Sequence, residues 1–578
     1  MQAKGNITVC RLPYRVNQYL ALSPPKVRGV PVFVPGQFFD EILDGSTLHS
    51  RATMTENLYC ALRAAFPAEL DRTAIECVAT ECTAGPALFY SWRDLDCGSA
   101  MIANLLLSLD LPADARVLVH TDKSVEALLL YLAVLRAGLV YVPLNSAYQA
   151  SELAYFIGNA EPAVVVCAPR NFGWLSKLAF CAGVQHVYTL GDDRSGSLLQ
   201  RAAHHADTQV PVARVASDVA SIIYTSGTTG RSKGAMLSHG NLLSNAQVLK
   251  TVWGWRPHHS DADRGDVLIH ALPLFHVHGL FVALHGALLG GSKLLWFSKF
   301  DARAVTARLP EATVFMGLPT LYGRLLAEPA FNAQACRNMR LFISGSAPLL
   351  AGTFRQFKER SGHTILERYG MSETVMLTSN PWLTSLDAPR LGRVAGTVGF
   401  ALPGVGVRVS GDNGARCSPG DIGGVEVRGP SVFRGYWRMP EKTAEEFTAD
   451  GWFKTGDLGY LDEQGRLTLI GRSKDLIISG GYNVYPAEVE GYLNELPGVD
   501  ESAVIGVPHP DLGEAVVAVL VPRAGVSVDA AACMATLKLR IAGFKVPRHV
   551  IVADQLPRNA MGKVQKALLR EQHRALFV

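Results

Sequence analysis

From Met54 onward the apolar positions of the chain fall into two alternating rhythms. Thr55–Phe66 carries its apolar residues at helical spacing, which predicts a one-sided helix. Arg116–His120 is a short aliphatic run bounded by polar residues and reads as a buried strand. Val125–Arg136 then reads as a helix and Val140–Pro143 as a further strand. Ala163–Cys167, Ser221–Tyr224, Val267–His270, Thr313–Met316 and Leu341–Ile343 continue the series of strands. Parallel strands need a crossover between them, usually a helix, so this alternation predicts a mostly parallel α/β sheet. Between about 395 and 470 the rhythm changes to short strands broken by Gly, Pro and Asp, the pattern of a β-rich subdomain. From about 475 the text returns to mixed helix and strand. No internal repeat and no low-complexity tract interrupts it.

Residues 1–53 have neither rhythm. Pro24-Pro25, Pro31, Pro35 and several glycines break any period there, and no motif falls in the stretch. The expected organisation is an extension at 1–53, weakly ordered or a misassigned start, then a large domain at 54–473 and a small C-terminal domain at 474–578. Asp40, Glu41 and Asp44 weigh against an organelle transit peptide.

Composition narrows the class. Apolar residues make up 48% of the 578 and charged residues 18%, the balance of a globular chain with a sizeable core. A net charge of +4 comes from 55 basic and 51 acidic residues with no basic block, so nothing in it argues for nucleic acid or for an anionic membrane surface. No apolar run reaches the roughly 18 residues of a membrane span. Ten scattered cysteines form no Cys-x-x-Cys pair, which points to buried thiols in a reducing compartment and a cytoplasmic protein.

The chemistry begins at Tyr224-Thr-Ser-Gly-Thr-Thr-Gly-Arg-Ser-Lys-Gly234. Glycines let the backbone turn its N–H groups toward an anion, and the hydroxyls and Lys233 add donors. A polar surface turn would share this composition, and no Gly-Lys-Ser/Thr triplet closes it as in a Walker A loop. Further strings follow in the chain: Tyr369-Gly-Met-Ser-Glu373, Gly451-Trp-Phe-Lys-Thr-Gly-Asp457, Gly471-Arg-Ser-Lys-Asp475 and Pro557-Arg-Asn-Ala-Met-Gly-Lys563. Together, and in this order, they resemble the motifs of the adenylate-forming superfamily of acyl-CoA synthetases, adenylation domains and luciferases.

The resemblance implies a reaction and a set of roles. A carboxylate attacks ATP, and negative charge builds on the α-phosphate and departing pyrophosphate, so donors, a metal and a mobile cation are needed. Thr225, Ser226, Gly227, Thr228, Thr229, Gly230 and Lys233 would cradle the β- and γ-phosphates. Glu373, with Thr225, would hold Mg²⁺, a hard ion suited to oxygen ligands. Thr374 would contact phosphate. Tyr369 and the backbone at Gly345–Pro348 would line the adenine slot, with Ser346, Ala347 and Glu367 among the nucleotide-binding residues. Asp457 and Arg472 would bind the ribose hydroxyls. Lys563 would bridge the substrate carboxylate and the α-phosphate. Lys474 falls at the implied hinge of a small mobile domain, whose rotation would bring Gly480, Gly481 and Tyr482 to the pantetheine of CoA.

These motifs leave the acid open. Phe275–Gly279 and Gly317–Leu325 sit where the superfamily builds its acyl pocket. His276 and His278 could suggest a metal, yet no third ligand is near in sequence. An inward Arg324 would grip a second carboxylate; an outward one would be an ordinary helix-surface residue. A closer resemblance, through Arg231–His239, His276–His278, Leu341–Leu349 and Glu367–Thr374 followed by Thr378–Pro381, is to malonyl-CoA synthetases. It implies malonate or methylmalonate as the acid, with Arg324, Ser346 and His278 at its distal end. The alternatives are a medium-chain or aryl acyl-CoA ligase, or a stand-alone adenylation domain loading a carrier protein. No carrier segment follows Lys563, which stands against the latter. Acetylation of Lys563 by a lysine acetyltransferase, reversed by a deacetylase, would remove the needed charge.

Overall fold

The computed structural model describes residues 56–79, 87–225, 232–257, 265–382, 392–411, 413–559 and 562–577. The extension expected at 1–53 therefore lies outside the described residues. Among these residues the strands form four sheets.

Two sheets are mostly parallel. The six-stranded one runs His186–Thr189, Val164–Cys167, Arg116–His120, Val140–Pro143, Val219–Thr225, Lys233–Ser238 across its width, parallel except for the last strand. The nine-stranded one is parallel through its centre, with Leu341–Ser344 between Val314–Gly317 and Leu366–Tyr369, and antiparallel at both edges. Its central strands are buried along their length, as parallel strands covered on both faces must be. Helix Val125–Arg136 runs between such layers, against Leu58–Ala64 and Trp92–Leu107, and every one of its residues is buried. Helices buried on all sides are apolar all round, and its two charged residues are accordingly paired. Glu126 accepts from the Tyr90 hydroxyl at 2.5 Å, and Arg136 forms an ion pair with Asp96 at 2.9 Å.

The β-rich subdomain is a four-stranded antiparallel sheet of Gly406–Ser410, Gly423–Arg428, Phe453–Leu461 and Leu467–Arg472. The C-terminal part is a separate five-stranded sheet built on the pairing of Val499–His509 with Gly513–Pro522. Its apolar residues pack into clusters of their own, one around Val489, Val504 and Leu537 and one around Ile505, Val517 and Leu569. A mixed α/β large domain with a β-rich subdomain, followed by a small α+β domain, is the class the sequence predicts. Among the described residues no helix is long and apolar enough to cross a membrane.

Candidate active site

Thr225, Ser346, Tyr369 and Glu373 lie at or just past the carboxyl ends of parallel strands, where loops converge and open α/β sheets bind ligands. Val219–Thr225 ends at Thr225, whose hydroxyl donates to the Lys233 carbonyl across the turn at 3.5 Å. Ser226 to Gly230 lie outside the described residues. Lys233 opens the return strand, with its ammonium 3.1 Å from Glu446 and 4.1 Å from the ring centre of Tyr436. The Tyr436 hydroxyl donates to Glu373 Oε1 at 3.0 Å. Glu373 is only 5% exposed, and its burial raises its pKa against the opposing pull of nearby donors and cations.

The strand ends at Ser344 and Tyr369 carry the next group. Ser346 follows with φ at +71°, and Val375, just past Glu373, has φ at +57°. Positive φ at a non-glycine residue, above all a β-branched one, costs about 1–3 kcal/mol and collects at functional sites. Tyr369 donates its hydroxyl to Asp457, and Asp457 forms an ion pair with Arg472 at 2.8 Å. The last two are cross-strand partners in the β-rich sheet, so the ladder register itself sets them side by side. Thr374 is 0% exposed, and its hydroxyl accepts from the Met371 N–H at 3.3 Å, closing its own turn.

Lys563 arrives from the small domain. Its loop is held by short bonds: Asn559 N–H to the Lys563 carbonyl at 2.9 Å, Lys563 N–H to Asn559 Oδ1 at 3.0 Å, and Arg558 to the Gly562 carbonyl at 2.6 Å. Arg558 is itself anchored on Glu501. A Cβ at Gly562 would lie 3.9 Å from the Thr320 hydroxyl, which places this loop against the helix Pro319–Ala327. Desolvation in the cleft lowers the Lys563 pKa, Arg472 and Arg368 add to that, and Asp457 and Glu373 oppose it. The small domain therefore turns its lysine toward Glu373, Asp457 and Arg472.

Gly480, Gly481 and Tyr482 are held elsewhere. The two glycines form a two-residue hairpin turn with φ at +58° and +83°, the left-handed geometry such turns require. Tyr482 is exposed and stacks on Phe544 with ring centres 4.7 Å apart. Lys474 sits in the short turn Ser473–Asp475, its pKa drawn down to about 8 by partial burial and then by Arg472.

On the acyl side the chain turns through a wide π-helical stretch, His278–Leu284, a geometry often found at functional sites. It brings His278 Nδ1 to 3.3 Å from the Ser346 hydroxyl. Burial pushes His276 down to about 3, helped by the charges of Lys563 and Arg368, and lowers His278 as well, so both rings are neutral at pH 7. Among the described residues no group of three or more His, Cys, Asp or Glu is placed to hold a metal, and the pair has no third ligand. Arg324 is exposed on Pro319–Ala327, four residues from Thr320 and so on the same helix face as the residue touching the Lys563 loop. Among the described residues it forms no ion pair.

Sequence reasoning assigned no role to Arg368. It is 2% exposed, and its Nε and Nη2 find no acceptor among the described residues. Burial pushes its guanidinium down to about 9. Gly345 makes room for it, since a Cβ there would lie 2.5 Å from the guanidinium carbon. An arginine written into a buried central strand, between Leu366 and Tyr369, was the available signal. Tyr436 and Glu446 were missed for another reason, as they reach the site only through folding of the β-rich part.

Glu367 points the other way from Arg368, as neighbours on a strand do. It accepts the Leu349 N–H at 3.2 Å, its second oxygen is buried without a partner among the described residues, and burial raises its pKa to about 8. The folded chain then holds a proton that the unfolded chain releases between about pH 4.5 and 8, so stability falls as pH rises through that window. Unfolding free energies of wild type and Glu367→Gln should accordingly diverge in favour of the variant from about pH 5 to 8, by up to about 4 kcal/mol. Parallel profiles would show that Glu367 ionises as an ordinary carboxylate.

Residues 64–437 match the AMP-binding enzyme family, and 488–563 match the AMP-binding enzyme C-terminal domain. A mitochondrial malonate–CoA ligase of Homo sapiens is 35% identical over 475 residues, 76% of this chain and 79% of that protein. A feruloyl-CoA synthase of Amycolatopsis sp is 35% identical over 443 residues, 76% of this chain and 84% of that protein. The ATP-bound crystal structure of MatB from Rhodopseudomonas palustris is 48% identical, with a TM-score of 0.84, and covers 91% of this chain and 100% of that one.

Proposed function

The chain belongs to the AMP-binding enzyme family, and we propose that it is an AMP-forming acid–CoA ligase whose acid is malonate. It would join malonate to AMP with release of pyrophosphate, then pass the malonyl group to CoA. The observation that carries the choice of acid is the buried guanidinium of Arg368, unpaired among the described residues, beside neutral His276 and His278. An alkyl or aryl chain placed there would leave that charge without a counterion, at a cost of several kcal/mol. A second carboxylate supplies the counterion. Ser346 and His278 would complete the distal end, and Arg324, unpaired and on the face toward the Lys563 loop, would meet the carboxylate from the open side.

For the nucleotide, Lys233, Asp457, Arg472 and Tyr369 are the binding residues. Mg²⁺ would be held by Glu373 and Thr225, an oxygen set that suits it, and would supply charge neutralisation at the phosphates. A single buried carboxylate is too small a cage for a resident ion, which fits a metal arriving with ATP. A cytoplasmic setting is supported by the described cysteines, all of them free thiols. Acetylation of Lys563 would switch the first step off by removing its charge.

Pyrophosphate release by the purified protein with ATP, Mg²⁺ and CoA over a panel of acids tests the reading. Malonate should be preferred, with methylmalonate next and acetate, hexanoate and ferulate poor; equal rates on monocarboxylates would remove the substrate claim. Feruloyl activity is the second reading, favoured by the feruloyl-CoA synthase relative. Arg324→Ala should raise the malonate KM about tenfold with the ATP KM unchanged. An unchanged malonate KM would take Arg324 out of the site.

A further inference from the structure

The strand Lys233–Ser238 does not end the contacts of Lys233. Segment 434–437 lies along it, through Met236 N–H to the Gly435 carbonyl at 3.0 Å and Trp437 N–H to the Gly234 carbonyl at 2.7 Å. That segment leads into the short helix Pro440–Glu445, which Glu446 caps at its C-terminus. A helix C-terminus carries partial negative charge, so a carboxylate there is misplaced by about 0.3–1 kcal/mol unless a cation offsets it. Two cations do: Lys233 at 3.1 Å and Lys442 at 3.4 Å. The backbone of Glu446 is fixed as well, its carbonyl accepting from Lys454 N–H at 2.8 Å and its N–H donating to Thr443 at 3.2 Å. Beyond Lys233 the chain of contacts continues through the face of Tyr436, 4.1 Å away, to Glu373.

We propose that Glu446 is a positioning residue for ATP: it fixes the Lys233 ammonium over Tyr436, with its remaining N–H donors left for the polyphosphate. A lysine stem has about 2 kcal/mol of rotamer freedom, and an exposed one spends most of its time elsewhere. Ammonium groups carry three donors, so holding one on Glu446 does not exhaust them. The opposing effect is repulsion between the Glu446 carboxylate and the phosphates. Geometry favours orientation: the acid is held to the side by a rigid strand and by Lys442, and its charge is already shared by two ammonium groups. This inference rests on Lys233 binding ATP, and is independent of which acid the enzyme uses.

The test compares wild type, Glu446→Gln, Glu446→Ala and Lys233→Ala. ATP binding is read by calorimetry without any acid present, so failure of the malonate reading and failure of this one are separable. Glu446→Ala should weaken ATP binding about tenfold, approaching Lys233→Ala, and Glu446→Gln, which keeps an acceptor, should recover part of it. In the two Glu446 variants, thioester formation from preformed acyl-adenylate and CoA should stay within about twofold of wild type, since ATP is then absent. Unchanged or tighter ATP binding in Glu446→Ala would overturn the proposal, because repulsion would then dominate. Equal losses in ATP binding and thioester formation, with a lower melting temperature, would also overturn it in favour of a purely structural role.

Discussion

Lys563→Ala should abolish adenylation, lowering malonate-dependent exchange of pyrophosphate into ATP by about 10²–10³-fold or more. ATP binding itself should change little, since Lys233, Asp457 and Arg472 remain in place. Transfer of the malonyl group from preformed malonyl-adenylate to CoA should also survive, because that step begins after the α-phosphate bond is made. The asymmetry follows from position. Lys563 belongs to the small domain, yet its charge is felt by Glu373, Asp457, Arg472 and Arg368 of the large one. An ammonium supplied at that point counters charge that exists only as the adenylate forms. Its lowered pKa also sets a sign: adenylation should decline with rising pH sooner than an ordinary lysine would allow, because the required form is the protonated one. Lys563→Arg should keep part of the rate and lose that early decline. Equal losses in both half-reactions would show that Lys563 only holds the domains together.

The strand–helix alternation was legible because parallel strands buried on both faces are continuous apolar runs. Arg116–His120, Val125–Arg136 and Val140–Pro143 fall on the observed elements at the same residues. The class of the small domain was legible too, from its return to mixed rhythm. What local sequence could not supply was the partner of each polar group. Thr374 stands in a motif that reads as a phosphate contact, and its sequence gives no sign that its hydroxyl also accepts the Met371 N–H. Glu446 reads as a helix-surface acid until the β-rich sheet folds it against Lys233, more than two hundred residues earlier. Arg324 shows the same gap from the other side: its exposure is a matter of which helix face meets the Lys563 loop, and one chain of letters holds no such angle. Residue type predicted the chemistry available, and topology decided which groups met.

Arg368→Met should lower kcat/KM for malonate by about 10²–10³-fold while leaving ATP binding near wild type. Truncating one side of a buried charge pair costs about 2–5 kcal/mol, a span of rate that brackets this loss. Stability should move in the opposite direction. In the unliganded protein the guanidinium is buried, with Nε and Nη2 unanswered among the described residues, and replacing such a charge by an apolar side chain of similar length is often neutral or stabilising. A melting temperature equal to or above wild type, together with loss of malonate, is the signature of a residue kept for its ligand. Discrimination should also collapse, since the variant no longer holds an unpaired charge against acetate or butyrate, and their rates should draw level with that of malonate. Arg368→Lys would not rescue it, because a point charge on a flexible stem cannot reproduce two fixed donors meeting a carboxylate. A lowered melting temperature with equal losses on every acid would instead mean that the arginine braces the Gly345–Pro348 turn. The two outcomes separate because an unpaired buried charge burdens the empty protein, and only the occupant that pairs with it relieves the burden.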